Sequence, residues 1–536
     1  LMASPLTAHS PAPARLAAST RAISLATAVS RVLGFVRDLL IAKLFGTGIQ
    51  AQAFVVAFRL PNLFRDLVAE GPMATAVVPV LSRYRATQPP QEFWRLAQAL
   101  GVRISVAVGL LGMLGCVLAP WLVALIAPGF ADDPEKLALT VRLTRILFPL
   151  ITLVGLWAFL GGLLNSLRHF ALPALGPAAL NLAMIAGCLW LVPHVQPGVV
   201  GLAWAVMLGG LVQLAMQVPA ASARGFRWRW VWRHEGSRDV MRLLGPRLVG
   251  AAVYQISVLF DTILASVGAL AGEGAIAALY FANRLVQLPL ALFATASAQA
   301  SLPTLSEQAA VKDFQTFRAT VLSLLRLVAF ESLPAAVGLI VLAPSIVRIC
   351  FERGAFDRAA TLMTAQTLSC LAIGLVAYAA SKVLSGAFYA LHDTRTPVRL
   401  AIQAFALNML FAVFLIGPLR VGGLALATAL SSSINAWRLI KALEWRLDMP
   451  LLPNLVKPVG RMGVAAGLMG VAAWGMWALI GARLPAATAA QAGLPAAAGL
   501  SVVILGSLGV YGASCWILRV GELRSLLKWL PAFRPS

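Results

Sequence analysis

Two short stretches carry the chemistry that stands out in this chain. RVLGFVRD (31–38) and RLPNLFRD (59–66) share the spacing Arg-x5-Arg-Asp, and Glu70 follows the second copy. Further on, ANRL places Arg284 five residues ahead of Pro289. All of these groups interrupt runs of apolar residues. A guanidinium stays charged at physiological pH, so it is a poor acid or base. Its planar fork of donors instead binds two oxygens of a carboxylate or phosphate at once. Five arginines (Arg31, Arg37, Arg59, Arg65 and Arg284) stand against three acids (Asp38, Asp66 and Glu70) in these segments. Pairing cannot neutralise that surplus. A cation at mid-bilayer costs about 2.5–3.5 kcal/mol on insertion scales, so the surplus is expected to line a water-filled cavity. A cationic cavity calls for an anionic substrate, here a phosphate or pyrophosphate with an apolar or bulky remainder.

On an ideal helix Arg31 and Asp38 share a face, while Arg37 stands about 120° away from Arg31. Gly34 in one copy, and Pro61 with Asn62 in the other, fall between the two arginines. A kink there can turn both guanidiniums toward one cavity. Arg142, Arg145, Arg247 and Lys382 also fall in apolar segments, but they read as locally paired or snorkelling groups. Other chemistry is missing from the sequence. The five cysteines have no CxxC or Cys/His spacing, and there is no HExxH, Walker loop or GxGxxG after a strand. No metal or nucleotide cofactor is expected.

The elements that hold these residues follow from composition. Of 536 residues, 60% are hydrophobic and 12% charged, against about 25% charged in a soluble domain. That excludes a water-soluble globular enzyme and equally a disordered chain. The expected fold class is an all-α polytopic membrane protein. Spans of about 20 apolar residues fit fourteen times: 16–45, 51–81, 97–127, 137–166, 172–193, 199–221, 243–270, 274–304, 319–347, 360–390, 398–416, 421–440, 459–482 and 494–518. Residues 1–15 read as a flexible tail rather than a cleaved signal. The net charge of +23 distributes unevenly. With the N-terminus in the cytoplasm, basic residues crowd the cytoplasmic loops, which is the positive-inside pattern and places both termini inside. The aromatic-basic loop FRWRWVWRH (226–234) would suggest nucleic acid in isolation. Between two spans it reads as an interfacial anchor, and no nucleic-acid partner is expected.

The first twelve spans look like one unit used twice. AFRL (57–60) recurs as ANRL (282–285), VPVLS (78–82) as LPTLS (302–306), and NSLRHFALP (165–173) as YALHDTRTP (389–397). ALN recurs at 179–181 and 406–408, and GLAWA (201–205) as GLALA (423–427). Five matches in order, at offsets of 222 to 227 residues, mark an internal repeat. Six spans per copy is an even number, so the copies share orientation, an arrangement found in alternating-access transporters. The expected layout is a lobe at 16–222, a cytoplasmic linker at 223–242, a second lobe at 243–446, and two added spans with a tail at 447–536.

SRVLGFVRD, AFRLPNLFRDLVAEG with VVPVLS after it, ANRL, FERGAFD (351–357) and FYALHDTRTPV (388–398) together resemble the MurJ/MviN lipid II flippases. Those belong to the superfamily of multidrug, oligosaccharidyl-lipid and polysaccharide exporters. The resemblance covers nearly the whole chain. It implies movement of undecaprenyl-pyrophosphate-linked disaccharide-peptide from the inner to the outer leaflet of the bacterial inner membrane, for peptidoglycan synthesis. It implies no bond chemistry and hence no enzyme. It further implies two six-helix lobes about a cationic cavity, with the last two helices forming a groove for the lipid tail. The family's cavity arginines match Arg31, Arg37, Arg65 and Arg284, with Asp38, Arg59, Pro61, Asn62 and Glu70 in support. Two departures, Gln52 and Asn283, put amides where relatives often carry acids. Some relatives couple to sodium, for which Asp261 and Asn408 are the candidate groups. Ala412 stands where a further oxygen ligand is expected, so membrane potential is the alternative drive. Partners under this reading are the lipid-linked glycolipid and membrane lipid, with cell-wall synthesis enzymes as candidates. Another glycolipid, polysaccharide or drug exporter of the superfamily is the alternative function, although a drug exporter calls for an acid-rich cavity.

Overall fold

A computed structural model of the chain describes residues 13–66, 72–481 and 493–523. Within them the structure is helical, with no strand. The chain divides into two compact units. The first comprises Leu1–Ile41, Ala53–Ile126 and Phe130–Gln255; the second comprises Ala42–Gln52, Ala127–Gly129 and Ile256–Ser536.

In the first unit the chain runs through α1 (Pro13–Phe45), α2 (Ile49–Phe64), α3 (Pro72–Thr87), α4 (Pro90–Ile126), α5 (Pro134–Leu147), α6 (Leu150–Ser166), α7 (Ala171–Trp190), α8 (Gly198–Ala215) and α9 (Gln217–Ser222). α10 (Gly236–Ser266) begins in this unit and ends in the second. The second unit continues with α11 (Gly268–Ala271), α12 (Ala275–Pro289), α13 (Ala296–Ala310), α14 (Phe314–Val341), α15 (Ala343–Phe351), α16 (Arg358–Ile373), α17 (Leu375–Ala390), α18 (Arg395–Leu419) and α19 (Val421–Leu447). α20 (Leu452–Gly481) and α21 (Gly493–Ile517) complete the chain's helices.

The described helices are compatible with the fourteen expected spans, of which 51–81 and 459–482 include residues outside the described ones. Among the described residues, nine helices are long and apolar enough to cross a membrane, or ten if the bent pair α16–α17 counts as one. The others are shorter or more polar. Leader lengths aside, the breaks repeat. A wide π turn follows α2 at Arg65–Asp66, and another follows Pro289 at Leu290–Thr295. The α5–α6 break sits at Pro149, and the α16–α17 break, a bend of 43°, at Gly374. Arg65 to Leu290 and Pro149 to Gly374 are both the sequence repeat's own spacing. Such π turns arise where an extra residue is held in a helix, and they gather at functional positions.

Local signals explain where several helices begin. Asp133, Asp313 and Asp357 cap α5, α14 and α16 by accepting the amides of Lys136, Thr316 and Ala360 at 3.0, 3.0 and 2.8 Å, the role short acidic side chains fill at helix starts. Close helix contact depends on small residues, as expected where lipid offers no hydrophobic drive between helices. A Cβ on Gly187 of α7 would lie 2.0 Å from that of Ala205 on α8. The first unit packs around Leu81, Leu96, Phe159 and Leu163, the second around Phe317, Val321, Leu384 and Phe388. α20 and α21 join the second unit against α14, where the Tyr511 hydroxyl donates to the Phe330 carbonyl at 2.9 Å. All five cysteines are free.

Candidate functional site

In the first unit the site is built on α1. Arg37 is only 7% exposed and Asp38 2%. The Arg37 guanidinium donates to Asp38 Oδ1 from Nε and Nη2, at 3.0 and 2.7 Å, and from Nη1 to Asn181 Oδ1 at 2.7 Å. Asn181, on α7, donates from Nδ2 to the Ser30 carbonyl at 2.9 Å. The amide reaches α1 because of Gly34, where an added Cβ would stand 3.3 Å from Asn181 Nδ2. Helix α1 runs unbroken through Gly34, so this glycine admits a neighbour where the sequence suggested a kink. Arg31, two turns earlier, is exposed and has no hydrogen-bond or ion-pair partner among the described residues. The two arginines of the motif thus differ in kind: one is compensated inside the protein and the other is open.

The second copy of the motif sits at the π turn. Arg65 Nη2 lies 3.5 Å from Asp66 Oδ1, with the two side chains 26% and 31% exposed. Asp66 also accepts from Gln255 Nε2 of α10 at 3.4 Å. Pro61 is buried, and Arg59 and Asn62 are half-buried. Gln52 is buried and donates to the Thr47 carbonyl at 3.2 Å. Glu70 lies outside the described residues, as does the side chain of Arg247.

In the second unit Arg284 is half-buried. Its guanidinium lies 4.9 Å from the centre of the Tyr280 ring, and Nη2 donates to the Tyr280 hydroxyl at 3.3 Å. Asn283 is exposed beside it. Lys382 donates to Thr295 Oγ1 at 2.8 Å, which ties α17 to the π turn. Asp261 on α10 accepts from Asn408 Nδ2 on α18 at 3.2 Å, and Ser431 on α19 lies 3.5 Å from Asn408 Oδ1. Ala412 is fully buried and supplies no side-chain oxygen. The two candidate coupling groups, Asp261 and Asn408, are thus hydrogen-bonded to each other.

The two units repeat this arrangement with one change. Asp38 with Asn181, and Asp261 with Asn408, are an acid on the first helix and an amide on the fifth helix of each repeat. Arg37 fills the gap between acid and amide in the first copy; Phe260 holds its place in the second. Sequence reasoning used the recurrent ALN only as a marker of repetition and missed Asn181 as Arg37's partner. The signal was the asparagine itself, a polar group in an apolar run. Tyr280 was also missed, though it stands one helical turn from Arg284. Among the described residues no group of His, Cys, Asp or Glu could hold a metal ion.

The fold is that of a multi-pass, all-helical membrane protein with an internally repeated pattern. The family described as lipid II flippase MurJ matches residues 41–484. The lipid II flippase MurJ of Burkholderia cenocepacia is 33% identical over 453 residues, covering 83% of this chain and 87% of its own. Among solved structures, a lipid II flippase MurJ in an inward closed conformation aligns with a TM-score of 0.76 at 24% identity, over 94% of this chain and 99% of that one. An inward-facing multidrug resistance MATE family transporter of the MOP superfamily aligns with a TM-score of 0.65 at 18% identity, over 78% and 94%. The chain belongs to the lipid II flippase MurJ family, whose members are transporters and not enzymes.

Proposed function

We propose that this protein moves lipid II, the undecaprenyl-pyrophosphate-linked precursor of peptidoglycan, from the inner to the outer leaflet by alternating access. The observation that carries the reading is Arg31. It is an exposed guanidinium on an apolar helix with no hydrogen-bond or ion-pair partner among the described residues, in a chain whose relatives are named for lipid II. Arg31 and Arg65 in the first unit, and separately Arg284 in the second, each offer donors of the kind a pyrophosphate takes, since its paired oxygens suit the guanidinium fork. Arg37, neutralised by Asp38 and Asn181, acts as a positioning residue for this surface. Two of these donors need little reorganisation to bind, because Asp66 holds Arg65 and Tyr280 holds Arg284. The prenyl tail stays in lipid while the headgroup crosses. In this reading the chain sits in the bacterial inner membrane with both termini cytoplasmic, the side its basic loops favour.

Transfer needs a drive. Membrane potential supplies about 2.3 kcal/mol per charge per 100 mV, and an inside-negative potential pushes an anion outward. Asp261 with Asn408 is the place where a monovalent cation would act, and Ala412 leaves that place short of one oxygen.

The test replaces Arg31, Arg37, Arg65 and Arg284 singly with Ala in cells that depend on this protein. The leaflet position of lipid II is then read with an impermeant probe. The expected result is precursor held in the inner leaflet for Arg31→Ala, Arg65→Ala and Arg284→Ala at normal expression. Normal growth and normal leaflet distribution in all four variants would remove the arginine reading. Failure of the unaltered protein to restore lipid II exposure, with another glycolipid moved instead, would reassign the substrate.

A further inference from the structure

The segment that leaves α9 and enters α10 has a surface that flipping does not use. Residues 226–234 (FRWRWVWRH) form no helix and lie strapped along the start of α4. Gln98 donates to the Arg227 carbonyl at 2.9 Å, and Arg103 donates to the Trp232 carbonyl at 2.7 Å and to Ser237 Oγ at 2.7 Å. At the far end His234 pairs with Glu92 at 3.2 Å. Phe226 is buried, with its ring 6.1 Å from Phe159 and 5.7 Å from Trp228. The strap is therefore fixed by its backbone, by Phe226 with Trp228 and by His234, which leaves Trp230, Trp232 and the arginines facing outward.

Those side chains are of two kinds. Trp230 and Trp232 are 73% and 46% exposed, and their rings stack at 6.3 Å and 13°. Residues two apart thus share a side, as in any extended chain. Arg227, Arg229 and Arg233 alternate with them in sequence and are exposed, and none has a side-chain partner among the described residues.

The length of α4 gives the depth at which the strap lies. The helix has 37 residues, about 55 Å at 1.5 Å per residue, which exceeds a hydrocarbon core of about 30 Å. Residues 104–126 carry no charge and by themselves span about 34 Å. They also present the lipid-facing row Leu110, Met113, Val117 and Trp121, each more than half exposed. The turns from Glu92 to Arg103, where the strap is held, therefore emerge at the headgroup level. Stacked indoles favour that level because one edge is apolar and the other polar. Unpaired guanidiniums there attract anionic headgroups.

We propose that residues 226–234 form a binding surface for anionic phospholipid, with Trp230 and Trp232 inserted among the acyl carbons nearest the headgroups and Arg227, Arg229 and Arg233 holding lipid phosphates. The strap pins the segment joining the repeats to the membrane, and its grip depends on lipid charge.

The test uses the full chain in vesicles containing brominated phosphatidylglycerol or brominated phosphatidylcholine at equal mole fraction. Emission from Trp230 and Trp232 is obtained by subtracting a Trp230→Phe/Trp232→Phe variant, and the other 12 of the 14 tryptophans report that the protein is folded and inserted. The brominated anionic lipid should quench the difference signal several-fold more than the neutral one. Arg227→Gln/Arg229→Gln/Arg233→Gln should abolish that preference and leave quenching by the neutral lipid intact. Equal quenching by the two lipids, quenching by neither, or displacement of the anionic lipid by a single-stranded RNA oligonucleotide would overturn the proposal.

Discussion

Arg31 and Arg37 have the same side chain and lie six residues apart on one helix, but one is exposed and the other buried. Arg37 is enclosed with Asp38 and Asn181, so its removal leaves a carboxylate buried without its counter-charge. Breaking a buried pair in this way costs about 3–5 kcal/mol. Arg37→Ala should therefore lower the melting temperature of the purified protein, and Arg37→Met/Asp38→Asn should recover much of it. Arg31→Ala should change stability by less than about 0.5 kcal/mol while abolishing flipping. Equal thermal shifts for the two alanine variants would contradict this division. A second residue-scale expectation concerns pH. His169, in the loop between α6 and α7, accepts a hydrogen bond at Nδ1 from Arg224 at 2.9 Å. Burial, and then the Arg224 charge, hold its imidazole below the ordinary histidine value. A depressed base favours the neutral folded form. Its contribution to stability is thus present above about 6.5, the unfolded value, and is lost as pH falls through the lower folded value. Arg224→Gln should raise the pH at which His169 ceases to react with diethyl pyrocarbonate.

At the scale of elements, α7 shows how small residues govern both packing and site. Gly187 lets α7 meet α8 at Ala205, as Gly34 lets Asn181 reach α1. Gly187→Leu should destabilise the first unit by about 1–3 kcal/mol, the usual penalty for overpacking, measured as a loss of thermal stability in detergent. Gly34→Val should do less to melting and more to transport, since it pushes Asn181 from Arg37 without emptying the core. The π turns were not legible from spacing. Pro61 and Pro289 announced disturbed helices, but whether a proline kinks a helix or shifts its register depends on what neighbouring helices supply to the freed carbonyls. The asparagines of the two ALN copies were legible as repetition, and their partners were not, because α1 and α7 are far apart in sequence.

At the scale of the whole molecule the repeated acid–amide pairs are the main asymmetry. The first copy carries its own cation, Arg37, and the second has Phe260 in that place. On our reading, transport in proteoliposomes should accelerate under an imposed inside-negative potential and should be indifferent to exchange of sodium for potassium. A sodium requirement that disappears in Asp261→Asn would instead assign the drive to a cation between Asp261 and Asn408.

The opening motif, the apolar composition and the repeat were readable from order alone. Hydropathy, helical period and internal similarity are properties of the chain, and a bilayer leaves helices as one of few solutions. They determined an all-helical membrane protein with an internal repeat and an excess of arginine over acid within its apolar segments. They could not say which arginine is spent internally. That depended on Asn181 and Asp38 closing around Arg37 while Arg31 stayed open, and on Tyr280 lying beneath Arg284. Charge compensation is a matter of a few ångströms between helices distant in sequence, and only the packed structure sets those distances.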